Sequence, residues 1–175
     1  DLHYPLRRQR QMCIRDSRKP CAAPSVPDCM NRLLIIAHAP LASAMRQCAL
    51  HVFPDCDAYL SALDVQPNMP PEETQAQARI LLEQLDCEHT LLLTDLFGAT
   101  PCNVAQKLVD GVHTRLVAGL NLPMLLRAIS YRHEPLEMLV NRVISGGTQG
   151  VLAVATTPPQ NQNRTDHDST KRHDQ

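Results

Sequence analysis

Apolar runs and polar interruptions alternate regularly along residues 30–156. Leu33-Leu34-Ile35-Ile36-Ala37 is an aliphatic run without polar alternation, which suits a strand buried on both faces of a parallel sheet. It predicts a first strand over Arg32–Ala37. From Leu41 to His51 apolar residues recur at helical spacing, with Pro40 tolerated at the first turn. Tyr59–Val65 alternates as a second strand. Pro70-Pro71-Glu72-Glu73 opens a helix reaching about Leu85, its acidic first turn favourable against the dipole. His89–Thr94 reads as a third strand, and Thr100-Pro101 starts a helix ending near Asp110-Gly111. His113–Ala118 is a fourth strand, followed by helices over Leu122–Ser130 and Leu136–Ile144. Gly146-Gly147 reads as a break before a final strand, Val151–Ala155.

This rhythm implies right-handed crossovers and a doubly wound α/β domain, its mostly parallel sheet covered by helices on both faces. The final strand is open to two readings: antiparallel at a sheet edge, or exchanged with a second subunit in a dimer. The sequence has no internal repeat and one core. Residues 1–29 read differently, with six Arg and Lys against three Asp and with prolines at 20, 24 and 27. Gln11–Ser17 resembles a translated adapter, so residues 1–29 are expected to be a disordered or artefactual leader, a basic arm or transit peptide being the alternative. Residues 157–175 are polar and nearly devoid of apolar side chains, too poor in burial to offset their ordering entropy, and are expected to be a disordered tail.

Composition narrows the function classes. Hydrophobic residues make up 43% but aromatics only 3%, so the core is aliphatic and stacking platforms for single strands or sugars are not expected. A formal net charge of −1 draws no polyanion, and no nucleic-acid partner is expected. No apolar stretch approaches the roughly 20 residues of a membrane span, and no h-region marks a secretory signal. Seven cysteines form no CxxC pair and eight histidines no HxH or HExxH spacing, so reduced thiols, a cytoplasmic location and no metal are expected.

Candidate chemistry gathers where predicted strands end. In an open α/β sheet the carboxyl ends of the strands hold the ligands. His38 follows the first strand, and Thr94-Asp95-Leu96-Phe97-Gly98-Ala99-Thr100-Pro101 follows the third. Ala118-Gly119-Leu120-Asn121-Leu122-Pro123-Met124 follows the fourth. A parallel sheet brings all three loops to one edge. A histidine offers a ring nitrogen near neutral pH. Asp95, costly after a buried strand unless paired, could fix the imidazole tautomer or simply cap a turn. Gly98 permits close approach or positive φ. Thr100 is expected as an N-cap with Pro101 at the first helical position, and Asn121 repeats that pattern. Such helix starts with Gly98 and Ala99 would receive an anion. Without GxSxG, GxxxxGK[ST] or GxGxxG, nothing here holds a nucleotide, and no cofactor is expected. A nucleophilic histidine with an orienting carboxylate and an anion seat suggests a phosphohistidine whose donor is another protein.

The segments IIAHAPLASAM, TDLFGATPCN, AGLNLPMLLRA and GGTQGV, in that order over residues 30–156, resemble the IIA component of the mannose-type (fructose subfamily) bacterial sugar phosphotransferase systems. That resemblance implies that His38 is phosphorylated by the phosphocarrier protein HPr and passes the group to a IIB partner or serves regulation. It implies that Asp95 hydrogen-bonds His38, that Thr100 and neighbouring amides receive phosphoryl oxygens, and that the domain is a homodimer through exchange of its last strand. Contact with the membrane would be indirect, through the transporter complex. Leu96, Phe97 and Met124 are the expected docking side chains. Ala39-Pro40 and Gly98-Ala99 depart from the family pattern, which has glycine after the histidine and two glycines after DLF. Three alternatives stand beside this reading: a dihydroxyacetone kinase phosphocarrier subunit, a non-catalytic anion sensor, and a metabolic enzyme using Asp95 as base.

Overall fold

The computed structural model describes residues 30–85 and 87–154; the expected leader and tail lie outside the described residues. Strand β1 (Arg32–His38) leads to helix α1 (Leu41–Val52), a 3-10 helix (Pro54–Ala58), β2 (Leu60–Val65) and α2 (Pro71–Gln84). Then come β3 (Thr90–Thr94), α3 (Thr100–Gln106), β4 (Thr114–Ala118), α4 (Leu122–Ser130) and α5 (Leu136–Gln149). The strand order is β2-β1-β3-β4 and every pairing is parallel.

The unbroken apolar run explains why β1 is central. Leu33, Leu34, Ile35, Ile36 and Ala37 are all fully buried, which requires neighbours on both edges and helices on both faces. Side chains alternate across the strand. Leu33, Ile35 and Ala37 pack with Leu91, Leu93, Ala49 of α1, Leu125 of α4 and Leu139 of α5. Leu34, Ile36 and Leu92 pack on the other face with Ala78 of α2 and Ala105 of α3. Each fully buried Leu or Ile contributes about 1.5–3 kcal/mol. The expected doubly wound α/β fold is what forms.

Three expectations are corrected. α3 is shorter than expected: after Gln106 the chain tightens, Leu108 N–H donating to Ala105 O at 3.0 Å and Val109 N–H to Gln106 O at 3.4 Å. Leu108 and Val109 thereby fold back against the second core. α5 is longer, running through Gly146 and Gly147 to Gln149. These glycines permit close packing: a Cβ on Gly146 would lie 2.9 Å from Arg127 Cγ, and one on Gly147 2.7 Å from Met124 Cε. The final strand is absent from Val151–Val154, which carry no regular secondary structure, while Ala155 lies outside the described residues. The two glycines extend α5 instead of breaking the chain, and the segment after it joins no sheet edge among the described residues.

The chain winds from β1 outward to β2, then returns to β3 and on to β4. After β1 it enters α1 on one face, and after β3 it enters α3 on the other. The carboxyl ends of β1 and β3 therefore flank the point where the winding reverses, and a crevice opens there.

Candidate functional site

His38 ends β1 and Asp95 immediately follows β3, so the two meet at that crevice. His38 Nδ1 lies 2.7 Å from Asp95 Oδ2, and the His38 backbone N–H donates to the same oxygen at 3.0 Å. Asp95 Oδ1 accepts from Leu96 N–H at 2.8 Å. The Asp95 side chain is 12% exposed and that of His38 52%, so the carboxylate is shielded while the imidazole faces outward. Burial pushes the Asp95 carboxyl up. The hydrogen bonds from His38 N–H, the His38 ring and Leu96 N–H, with the imidazole charge, outweigh burial and hold it below the usual carboxylate range. An ionised carboxylate only accepts hydrogen bonds, so Nδ1 carries the proton. Nε2 is then the ring nitrogen that Asp95 does not engage.

The surrounding loops are locked together. Gly119 N–H donates to Asp95 O at 3.1 Å and Leu120 N–H to Thr94 O at 3.0 Å, joining the loops after β3 and β4. Gly98 has φ +84°, and a Cβ there would meet nothing within 4 Å, so glycine is needed for its backbone conformation rather than for space. Asn103 Nδ2 donates to Gly98 O at 3.2 Å and fixes the turn. Ala99 is the N-cap of α3, Thr100 its first residue, and no side chain caps it. This corrects the expectation that Thr100 is the cap. Pro40 likewise is the N-cap of α1 rather than part of its first turn.

A cleft of about 410 Å³ beside the pair is lined by His38, Val65, Gln66, Pro67, Met69, Pro71 and Thr100. His38 and Thr100 thus share one cavity. The loop after β2, Gln66 to Met69, supplies much of this wall and was missed in the sequence; its place after a parallel strand was the signal. Among the lining residues there is no lysine or arginine. A larger groove of about 540 Å³, lined by Pro123, Arg127, Tyr131 and Gly150 among others, lies between α4 and α5. It holds nothing comparable to the histidine–carboxylate pair, so chemistry rather than size selects the smaller cleft.

Other expected site residues fall elsewhere. Asn121 caps α4, its Oδ1 accepting from Met124 N–H at 2.9 Å and its Nδ2 donating to Gly147 O at 3.1 Å. It caps α4 as expected and ties α4 to α5; like Gly98 and Ala99, it is not among the residues lining the cleft. Met124 is 5% exposed and packs in the core, which corrects its expected docking role: its side chain fills the space that Gly147 leaves. Leu96 and Phe97 are 62% and 74% exposed, beside Asp95. Leu41, exposed at the start of α1, is a further apolar residue close in sequence to His38.

A doubly wound sheet with an outward imidazole, fixed by a shielded carboxylate at the winding reversal, defines an α/β domain equipped for chemistry at one ring nitrogen. Residues 32–144 match the family described as the PTS system fructose IIA component, and the chain belongs to that family of sugar phosphotransferase system components. Over 100 residues it is 30% identical to the mannose-specific EIIAB component of Escherichia coli K12, a match covering 55% of this chain and 31% of that protein. The match thus spans about a third of that relative's length. The mannose/sorbose-specific IIA subunit from Enterococcus faecalis is similar in structure, with TM-score 0.64 and 27% identity over 73% of this chain and 97% of that one. The phosphotransferase system component EIIA from Streptococcus agalactiae has TM-score 0.62 and 26% identity over 71% and 97% of the two chains. Among the described residues, no helix is long and apolar enough to cross a membrane.

Proposed function

We propose that this chain is a phosphohistidine carrier, accepting a phosphoryl group from HPr on His38 and passing it to a IIB partner. The observation that supports this most is the 2.7 Å contact between His38 Nδ1 and Asp95 Oδ2. With its proton held at Nδ1, the imidazole presents the Nε2 lone pair for in-line attack on the phosphorus of phosphorylated HPr. The Nε2–P bond forms as the P–N bond of the donor breaks, and the donor imidazole leaves with its electron pair. The phosphorylated ring of His38 carries positive charge, which Asp95 stabilises.

Phosphoryl transfer of this kind rests on positioning and charge stabilisation. Gly98, Ala99 and Thr100 form the seat for the equatorial oxygens, through first-turn N–H groups of α3 and the Thr100 hydroxyl. Leu96 and Phe97 form the apolar contact for the protein donor and acceptor. Neither a metal nor a cofactor is required. The domain works in the cytoplasm and reaches the membrane only through its transporter complex. Val151, Leu152 and Val154 are 76%, 77% and 92% exposed, which favours a homodimer in which this segment pairs with a second copy.

Phosphorus-31 NMR of the chain after incubation with phosphorylated HPr tests the carrier. A signal that is stable in alkali and lost in acid, at the position of an Nε2-linked phosphoryl group, is the expected result. Binding of inorganic phosphate without a covalent signal would point to the anion-sensing reading instead.

A further inference from the structure

The carboxyl edge of the sheet carries the histidine–carboxylate pair; its amino edge carries a second cluster. Glu88, His89 and His113 bring a carboxylate oxygen and two imidazole nitrogens within 4.8 Å of one another. The histidines are far apart in sequence and meet through strand register. Thr90 pairs with Thr114 in the parallel β3–β4 ladder, and the residue before each is a histidine. Thr90 N–H donates to His113 O at 2.8 Å, and the two rings lie 5.5 Å apart between centroids. The His113 backbone is held from the other side: Asp110 Oδ1 accepts from the N–H groups of Val112, His113 and Thr114 at 2.9, 2.8 and 2.8 Å.

We propose that Glu88, His89 and His113 bind a borderline divalent cation, zinc(II) foremost, at the end of the sheet opposite His38. Two imidazoles and a carboxylate suit zinc, copper or nickel, whereas calcium and magnesium favour all-oxygen sets. Three protein ligands leave the fourth tetrahedral position to water. Bonds of about 2.0–2.2 Å place ligand atoms roughly 3.3–3.6 Å apart in a tetrahedron, so the three side chains must close by about 1 Å. Glu88 and His113 are exposed and have room to turn. Spacing along the sequence gives no hint of this site, since its ligands come from the starts of two parallel strands. Bound there, the ion clips edge strand β4 to β3 and stabilises the folded domain.

Zinc chloride titrated into the full chain, read by calorimetry and by the zinc-dependent rise in melting temperature, tests the site. The terminal segments contain His3, His167, His173 and several cysteines, so variants must be compared. His113→Ala and Glu88→Gln are expected to weaken one zinc equivalent at least about tenfold, the loss seen even for outer-shell partners, and to abolish the rise in melting temperature. His51→Ala, an exposed histidine on α1, should leave both unchanged. Zinc binding and thermal protection that survive His113→Ala and Glu88→Gln would overturn the proposal, as would no binding by the wild type. Should His113→Ala fail to fold, Glu88→Gln carries the comparison with the same two outcomes.

Discussion

One oxygen of Asp95 holds His38 twice: Oδ2 takes the imidazole Nδ1–H at 2.7 Å and the His38 backbone N–H at 3.0 Å. The carboxylate therefore fixes both the end of β1 and the orientation of the ring it carries. Replacing it by an amide keeps the shape and removes the charge. Asp95→Asn is expected to slow phosphoryl acceptance on the order of 100-fold while the circular dichroism spectrum stays unchanged. Unaltered kinetics would mean that Asp95 is only a structural tie.

The same carboxylate makes stability depend on pH. Its pKa is depressed because the three donors and the imidazole charge outweigh burial. A depressed carboxylate contributes stability that is present above its unfolded value of about 3.9 and is lost as pH falls through the folded value. Asp95→Asn lacks that contribution at every pH. The gap in melting temperature between wild type and Asp95→Asn is thus expected to be larger at about pH 5 than at about pH 3. A gap that widens on acidification would contradict this assignment.

Close approach of α4 and α5 depends on Gly146. A Cβ there would stand 2.9 Å from Arg127 Cγ and 3.0 Å from Arg127 Cβ, which is not the movable end of that side chain. Overpacking costs about 1–3 kcal/mol, against a helix-propensity gain of about 1 kcal/mol. Gly146→Ala is expected to destabilise by about 1 kcal/mol in urea titration. A net stabilisation would show that the helices separate without penalty.

Phe97 is an exposed aromatic beside the pair, and the proposed function makes it a docking contact. Phe97→Ala should raise the apparent KM for phosphorylated HPr about five- to tenfold, the size of an interface contact worth a little over 1 kcal/mol, with kcat retained. Transfer at the wild-type KM would place the docking surface elsewhere.

The fold was legible where burial is continuous. Leu33 to Ala37 suited a strand buried on both faces, and the alternation of strands with helical periods implied parallel pairing. His38 and Asp95 were legible because each lies where such a strand ends. Residues whose roles depend on packing between helices were not. Gly146 and Gly147 read as a break because sequence shows their conformational freedom but not the side chains of Arg127 and Met124 opposite them. Met124 was expected to be exposed for docking at the start of a helix, yet in α4 it is turned inward and buried. The 3-10 helix over Pro54–Ala58 is too short to carry a period, and the His89–His113 pairing exists only through strand register.

Intact-mass analysis of the 175-residue chain after incubation with phosphoenolpyruvate, Enzyme I and HPr tests the central claim most directly. A phosphohistidine carrier predicts a gain of one phosphoryl group, about 80 Da on a histidine nucleophile, that is absent in His38→Ala. No gain while HPr itself is phosphorylated, or a gain that persists in His38→Ala, would contradict it.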